Sequence, residues 1–138
     1  MAAKDRFHEI VRLALEKDGW RITHDPLSIT VEKVNMQIDL GAERVLGAER
    51  AGQKIAIEIK SFLGPSSIQD FYLALGQTIT YRGALQTTEP DRTLYLAISN
   101  DTYTEFFINK FIQDTIQANQ VKLLIFEIET QTINSWKE

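Results

Sequence analysis

Glu58 and Lys60 stand two residues apart inside "QKIAIEIKSF" (53–62), a stretch whose apolar positions alternate as in a β-strand. Alternation places Ile55, Ile57 and Ile59 on one face and Ala56, Glu58 and Lys60 on the other, with the two charges about 7 Å apart along the backbone. A carboxylate and an ammonium carried by a core strand need a partner, an ion or water, because burying an isolated charge is costly. Asp39 is the candidate partner. It sits in "NMQIDLGAERVL" (35–46), opposite in polarity to Ile38 and Leu40, and antiparallel pairing brings it beside Glu58. An E-x-K by itself is ordinarily the solvated face of a half-exposed sheet. Three features lift this one above that: Asp39 upstream, the Gly-Pro break that follows Ser61-Phe62, and a helix that presents Gln77 and Tyr81 four residues apart on one face.

The elements that must position these groups are legible in order. Residues 4–18 put Phe7, Ile10, Val11, Ala14 and Leu15 at helical spacing, and Gly19 stops that helix. "WRITHD" and "LSITVEKV" read as extended segments around a turn at Asp25-Pro26. Residues 36–60 read as an antiparallel hairpin pair with Gly47 and Gly52 in the connection. Ser66 or Ser67 caps a helix over 67–84, where Ile68, Phe71, Tyr72, Leu75 and Ile79 form the stripe. Its first half is apolar on more than one face, which predicts cover on a second side, as in a homodimer. "TLYLAIS" (93–99) predicts a strand buried on both faces. Asn100 or Asp101 then caps a helix with Phe107, Ile108, Phe111, Ile112 and Ile116 as its buried stripe. "VKLLIFEIE" (121–129) is a last strand, and "TQTINSWKE" a polar tail anchored by Trp136. The sum is one α/β domain over residues 1–138, a mixed central β-sheet flanked by helices.

Composition narrows the chemistry. There is no cysteine, which removes disulfides and thiolate zinc sites and suits a reducing cytoplasm. No apolar run approaches a membrane span, and the polar N-terminus does not read as a signal peptide. The net charge is −4; residues 1–69 hold ten basic and ten acidic side chains, and residues 70–138 hold five and nine. No basic run exists to grip phosphates, so binding of DNA by the chain alone is expected to be weak. His8 and His24 are too isolated for a zinc site, and His8 reads as a helix-surface residue. Ser66 and Ser67 read as caps rather than nucleophiles, and Phe106, Phe107 and Phe111 as core rather than a base-stacking platform. Lys4, Arg12, Lys54 and Arg82 are the cations available to ring a cleft near the motif.

Asp39, then Glu58-Ile59-Lys60, then Gln77-x-x-x-Tyr81 resembles the PD-(D/E)XK nuclease superfamily, whose restriction-endonuclease-like αβββαβ core matches the element order through residue 99, with a C-terminal αβ beyond it. More narrowly, "AAKDRFHEIVRLALEKDGWRITHDPLSI", "IDLGAERVLGAER", "KIAIEIKSF" and "FYLALGQTITYR" together look like the XisH family over essentially the whole chain. Those are cyanobacterial factors named for controlling excision of a DNA element that interrupts a nitrogen-fixation gene. The resemblance implies a Mg²⁺-dependent endodeoxyribonuclease, with Mn²⁺ as a substitute. Asp39 and Glu58 would hold the ion with the carbonyl of Ile59, and Lys60 would act on the attacking water or on developing charge. Glu9 would match an additional acidic position on the first helix, and Gln77 and Tyr81 a supporting pair. Ile38 stands where the motif's name has proline. The resemblance equally implies a rival: a non-catalytic regulator that retains the fold and works through a companion XisI-like protein or a site-specific recombinase.

Overall fold

In the computed structural model, which describes residues 4–44 and 52–138, the first apolar stripe forms α1 (His8–Lys17) with Val11, Ala14 and Leu15 fully buried. The Asp5 carboxylate accepts from Phe7 N at 2.9 Å just ahead of the helix, and Gly19 ends it at a φ of 91° that favours glycine. Five strands follow where three were expected: β1 (Arg21–His24), β2 (Leu27–Val31), β3 (Val34–Ile38), β4 (Leu40–Arg44) and β5 (Gln53–Ile59). The connection carrying Gly47 lies outside the described residues.

The stretch read as one strand over 35–46 is two within its described residues, which end at Arg44. β3 pairs with β2 in a separate two-stranded arm, while β4 pairs antiparallel with β1 and β5 in the main sheet. Asp39 is the pivot between them. In a regular strand Ile38 and Leu40 would share a face; here Ile38 packs with Leu27, Ile29 and Leu85, and Leu40 with Val11, Leu15 and Ile57. Both are fully buried, so the bend satisfies two cores at once. The arm's own turn, Glu32-Lys33, has both residues at positive φ, as a two-residue hairpin with a primed turn requires.

After β5 come α2 (Ser67–Thr88), capped by the Ser66 hydroxyl accepting from Gln69 N, and β6 (Arg92–Ser99). Ser99, rather than Asn100 or Asp101, caps the short α3 (Asn100–Thr102), which widens into a π turn over Tyr103–Phe107 before α4 (Lys110–Ala118). Phe107, Ile112 and Ile116 of the expected stripe are buried, but Ile108 and Phe111 are exposed at 63% and 70%, because the break at Asn109 restarts the helix in a new phase. β7 (Leu123–Glu127) is followed by β8 (Thr132–Lys137), so the supposed tail is an edge strand.

The main sheet runs β1-β4-β5-β6-β7-β8, with β5, β6 and β7 parallel and the others antiparallel. α1 covers one face, over Ile55, Ile57, Ile59, Ala97, Leu124 and Phe126. α2, α4 and the β2–β3 arm cover the other. Burying each isoleucine of β5 is worth about 1.5–3 kcal/mol, which fixes the strand's register and therefore the side on which Glu58 emerges. Trp136 of β8 does anchor the end of the chain: its ring lies 4.8 Å from Tyr95 and 5.8 Å from Trp20, and Lys17 Nζ donates to Thr130 O at 2.9 Å. On α2, the face carrying Gln69, Tyr72, Leu73, Gly76, Ile79, Thr80, Gly83, Gln86 and Thr87 is exposed and holds no charge.

Candidate active site

The β4–β5 register pairs Leu40 with Ile57, and its continuation sets Asp39 opposite Glu58. Two hydrogen bonds close the pair: Ile59 N donates to Asp39 Oδ2 at 2.8 Å, and Asp39 N approaches Glu58 Oε1 at 3.3 Å. The pivot at Asp39 frees its carboxylate from ladder alternation so that it folds back over the end of β5. Lys60, one step beyond the strand, is held by its N–H to Ala97 O at 3.1 Å, and its Nζ lies 3.7 Å from Glu58 Oε2. The three side chains predicted to converge therefore do so, in the lining of a cavity of about 360 Å³.

Glu58 is only 4% exposed. Burial, reinforced by repulsion from Asp39 and only partly offset by Lys60, pushes its carboxyl up to about 8. Asp39 is also raised by burial, against the Ile59 N–H that favours its charged form. Metal-free and near neutrality, the pair thus retains a proton, because one ammonium does not neutralise a buried carboxylate beside a half-buried one. That deficit of positive charge, on hard oxygen ligands facing a cavity, fits a divalent cation such as Mg²⁺. A second grouping, His8, Glu9 and Asp25, has ligand atoms within 4.8 Å of one another. There Arg12 already pairs with Asp25, and Lys4 Nζ lies 3.9 Å from Glu9, so the charge is met from within the chain.

Three elements wall the cavity. Gln77 and Tyr81, one turn apart on α2, stand over the carboxylates; the Tyr81 hydroxyl is raised by burial and then by the charges of Glu58 and Asp39. The β2–β3 arm contributes Gln37, and the turn ahead of it Asp25 and Pro26. The start of α1 contributes Lys4, Asp5 and His8. Asp5 accepts from Ser61 N at 3.0 Å, which ties the helix start to the loop that leaves Lys60.

Glu9 is not brought to this cavity. It is one residue on from His8, about 100° around the helix, and its side chain is 70% exposed. His8 is the reverse: read as a surface residue, it is 3% exposed, and its Nε2 hydrogen-bonds Asp25 Oδ1 at 2.7 Å. Arg12 also binds Asp25, whose carboxyl stays below its ordinary value despite burial because of the Arg12 hydrogen bond and His8. Asp5, His8 and Asp25 are the wall residues that sequence reasoning missed. Asp5, His8 and Arg12 recur at helical spacing beside the apolar stripe, and that polar stripe was the signal. Of the cations expected to ring the cleft, Lys4 lines it, whereas Lys54 pairs with Asp91 at 3.7 Å and Arg82 donates to the carbonyls of Asn119 and Gln120.

Residues 1–134 match the family described as XisH protein. The crystal structure of an XisH family protein from Nostoc punctiforme is 49% identical, with a TM-score of 0.89 over 97% of this chain and 100% of that one. That of a fdxN element excision controlling factor protein from Anabaena variabilis is 50% identical, with a TM-score of 0.86 over 96% of this chain and 98% of that one. Among curated proteins, none matches.

Proposed function

The chain belongs to the XisH family, and from that premise we propose that it is an element-excision controlling factor that acts as a Mg²⁺-dependent DNA phosphodiesterase of the restriction-endonuclease-like, PD-(D/E)XK type. The observation that carries the reading is the pairing of half-buried Asp39 with buried Glu58, with Lys60 Nζ 3.7 Å from Glu58, in the lining of one cavity. Asp39 and Glu58, with the Ile59 carbonyl, are the residues to hold Mg²⁺ or Mn²⁺. A bound ion supplies a polarised phosphate oxygen and a more acidic water. Lys60 Nζ would orient the attacking water and offset the negative charge that grows on the phosphate. The attack breaks one P–O bond, leaving a phosphate monoester and a hydroxyl. Gln77 and Tyr81 steady the carboxylates and the entering strand, and the Asp5–Ser61 hydrogen bond fixes the backbone on which Lys60 is mounted.

The test is incubation with plasmid, branched and single-stranded DNA in Mg²⁺ or Mn²⁺. Asp39→Asn and Lys60→Ala are expected to lower cleavage by about a hundredfold or more, as loss of a group acting on the transition state does. Cleavage that survives both substitutions sinks the enzyme reading. A second reading is favoured by one observation, the long uncharged exposed face of α2. On it, the chain is a regulator that docks a companion XisI-like protein, a recombinase or a second copy of itself. That reading requires no cleavage and a complex lost when Leu73 and Ile79 are replaced by lysine.

A further inference from the structure

We infer that the cleft takes a single-stranded DNA segment, one or two nucleotides deep, and not the side of a duplex. This rests on the phosphodiesterase reading and adds the form of its substrate. The first argument is size. Asp39 and Glu58 line a cavity of about 360 Å³, at the low end of the ~300–1,000 Å³ typical of sites for single small ligands. It is closed in by α1, the β2–β3 arm and α2. Each wall is stiff: the helix start by Asp5 on Ser61, the turn ahead of the arm by Asp25 on His8 and Arg12, and α2 by its buried Phe71, Ala74 and Leu85. A duplex, whose major groove alone is ~12 Å wide, does not enter such a space. A phosphate on its outer surface would not reach Glu58, which is 4% exposed. A single strand, with its bases unstacked and its backbone free to bend, does.

The second argument is charge. A duplex-binding protein that makes ~6–10 phosphate contacts needs a matching set of lysines and arginines. Here the lysines lining the cleft are Lys4, whose exposed Nζ lies a loose 3.9 Å from Glu9, and Lys60, 3.7 Å from Glu58; Arg12 beside it is held closely by Asp25, and the chain as a whole carries −4. Two cations suit the two phosphates that flank one bound nucleotide. Tyr81 adds a ring against which its base can lie.

The test measures binding by fluorescence anisotropy in Ca²⁺, which supports binding without turnover, using a labelled twelve-nucleotide single strand and the same sequence as a blunt duplex. The single strand is expected to bind at least tenfold tighter. Its affinity should fall with salt at a log–log slope of about −1.4, which is ~0.7 for each of two phosphates. Lys4→Ala should halve that slope, whereas Lys54→Ala, at the far end of β5, should leave it alone. Equal or tighter duplex binding, or a slope steeper than −4, overturns the inference. So does metal uptake at Asp39 and Glu58, measured by calorimetry, with no affinity for either DNA; in that case the metal site survives and the substrate does not. Tight single-strand binding without cleavage in Mg²⁺ or Mn²⁺ has the opposite meaning: the substrate form stands and the phosphodiesterase falls.

Discussion

Glu58 is where the chain's physical chemistry is most exposed to experiment. Its ordinary value is 4.5 and the folded, metal-free protein raises it to about 8. Between those limits the unfolded chain has released a proton that the folded chain keeps, so folding takes one up, and stability falls as the pH climbs through that window. In EDTA the midpoint of thermal unfolding should therefore drop from pH 5 to pH 8. Glu58→Gln, which cannot ionise, should flatten that dependence and raise the midpoint at pH 8. Metal should behave as the mirror image. Displacing the proton makes Mg²⁺ affinity climb by up to tenfold per pH unit below about 8, and calorimetry in buffers of different ionisation heat should count the proton released. An affinity that is flat from pH 6 to 8 would place the ion elsewhere. Glu58 and Lys60 were legible because strand alternation assigns faces without knowing the fold, whereas Asp39 meets them through a pivot that alternation does not describe. Asp25 was not legible, because its contact with His8 joins a turn to a helix seventeen residues away, and the local period of Asp5, His8 and Arg12 reports only the helix side of it.

At the scale of elements, the informative departures are a strand that bends and a helix that stays bare. Residues 36–44 alternate well enough to pass for one strand, and only the two separate cores of Ile38 and Leu40 require a pivot at Asp39. That requirement is tertiary. β8 escaped detection because Thr132–Lys137 is half-exposed throughout, with no clean alternation to announce an edge strand. α2 was visible from its stripe and cap, and its excess of apolar surface is real: Tyr72 and Leu73 are 58% and 56% exposed. Gly76 and Gly83 sit within this helix, and a Cβ at either would meet nothing within 4 Å. Replacing each by alanine should stabilise the chain by about 0.5–1 kcal/mol in urea titrations, since nothing within the fold requires glycine there. If Gly76→Ala instead weakens self-association or capture of a companion protein, the glycine is making room for another backbone, and the docking reading gains.

At the scale of the whole molecule, a six-stranded mixed sheet with α1 on one face and α2, α4 and a two-stranded arm on the other places the cleft where the parallel strand β5 ends. The sequence carried this layering because long stripes and doubly buried strands leave few ways to stack. No described helix is long and apolar enough to cross a membrane. β8 closes the sheet beside β7, whose Leu123, Leu124, Ile125 and Phe126 are nearly inaccessible. A chain ending at Glu129 should expose that edge and aggregate, read by light scattering against the full chain. The same join has a consequence in time. α1 and β8 are the first helix and the last strand, yet Lys17 binds Thr130 and Trp20 stacks near Trp136. On the ribosome, α1 emerges well before β8 and must wait for it. Until then β7 and the underside of α1 stay uncovered, which is the interval when a chaperone, or a neighbouring nascent chain, has its opportunity.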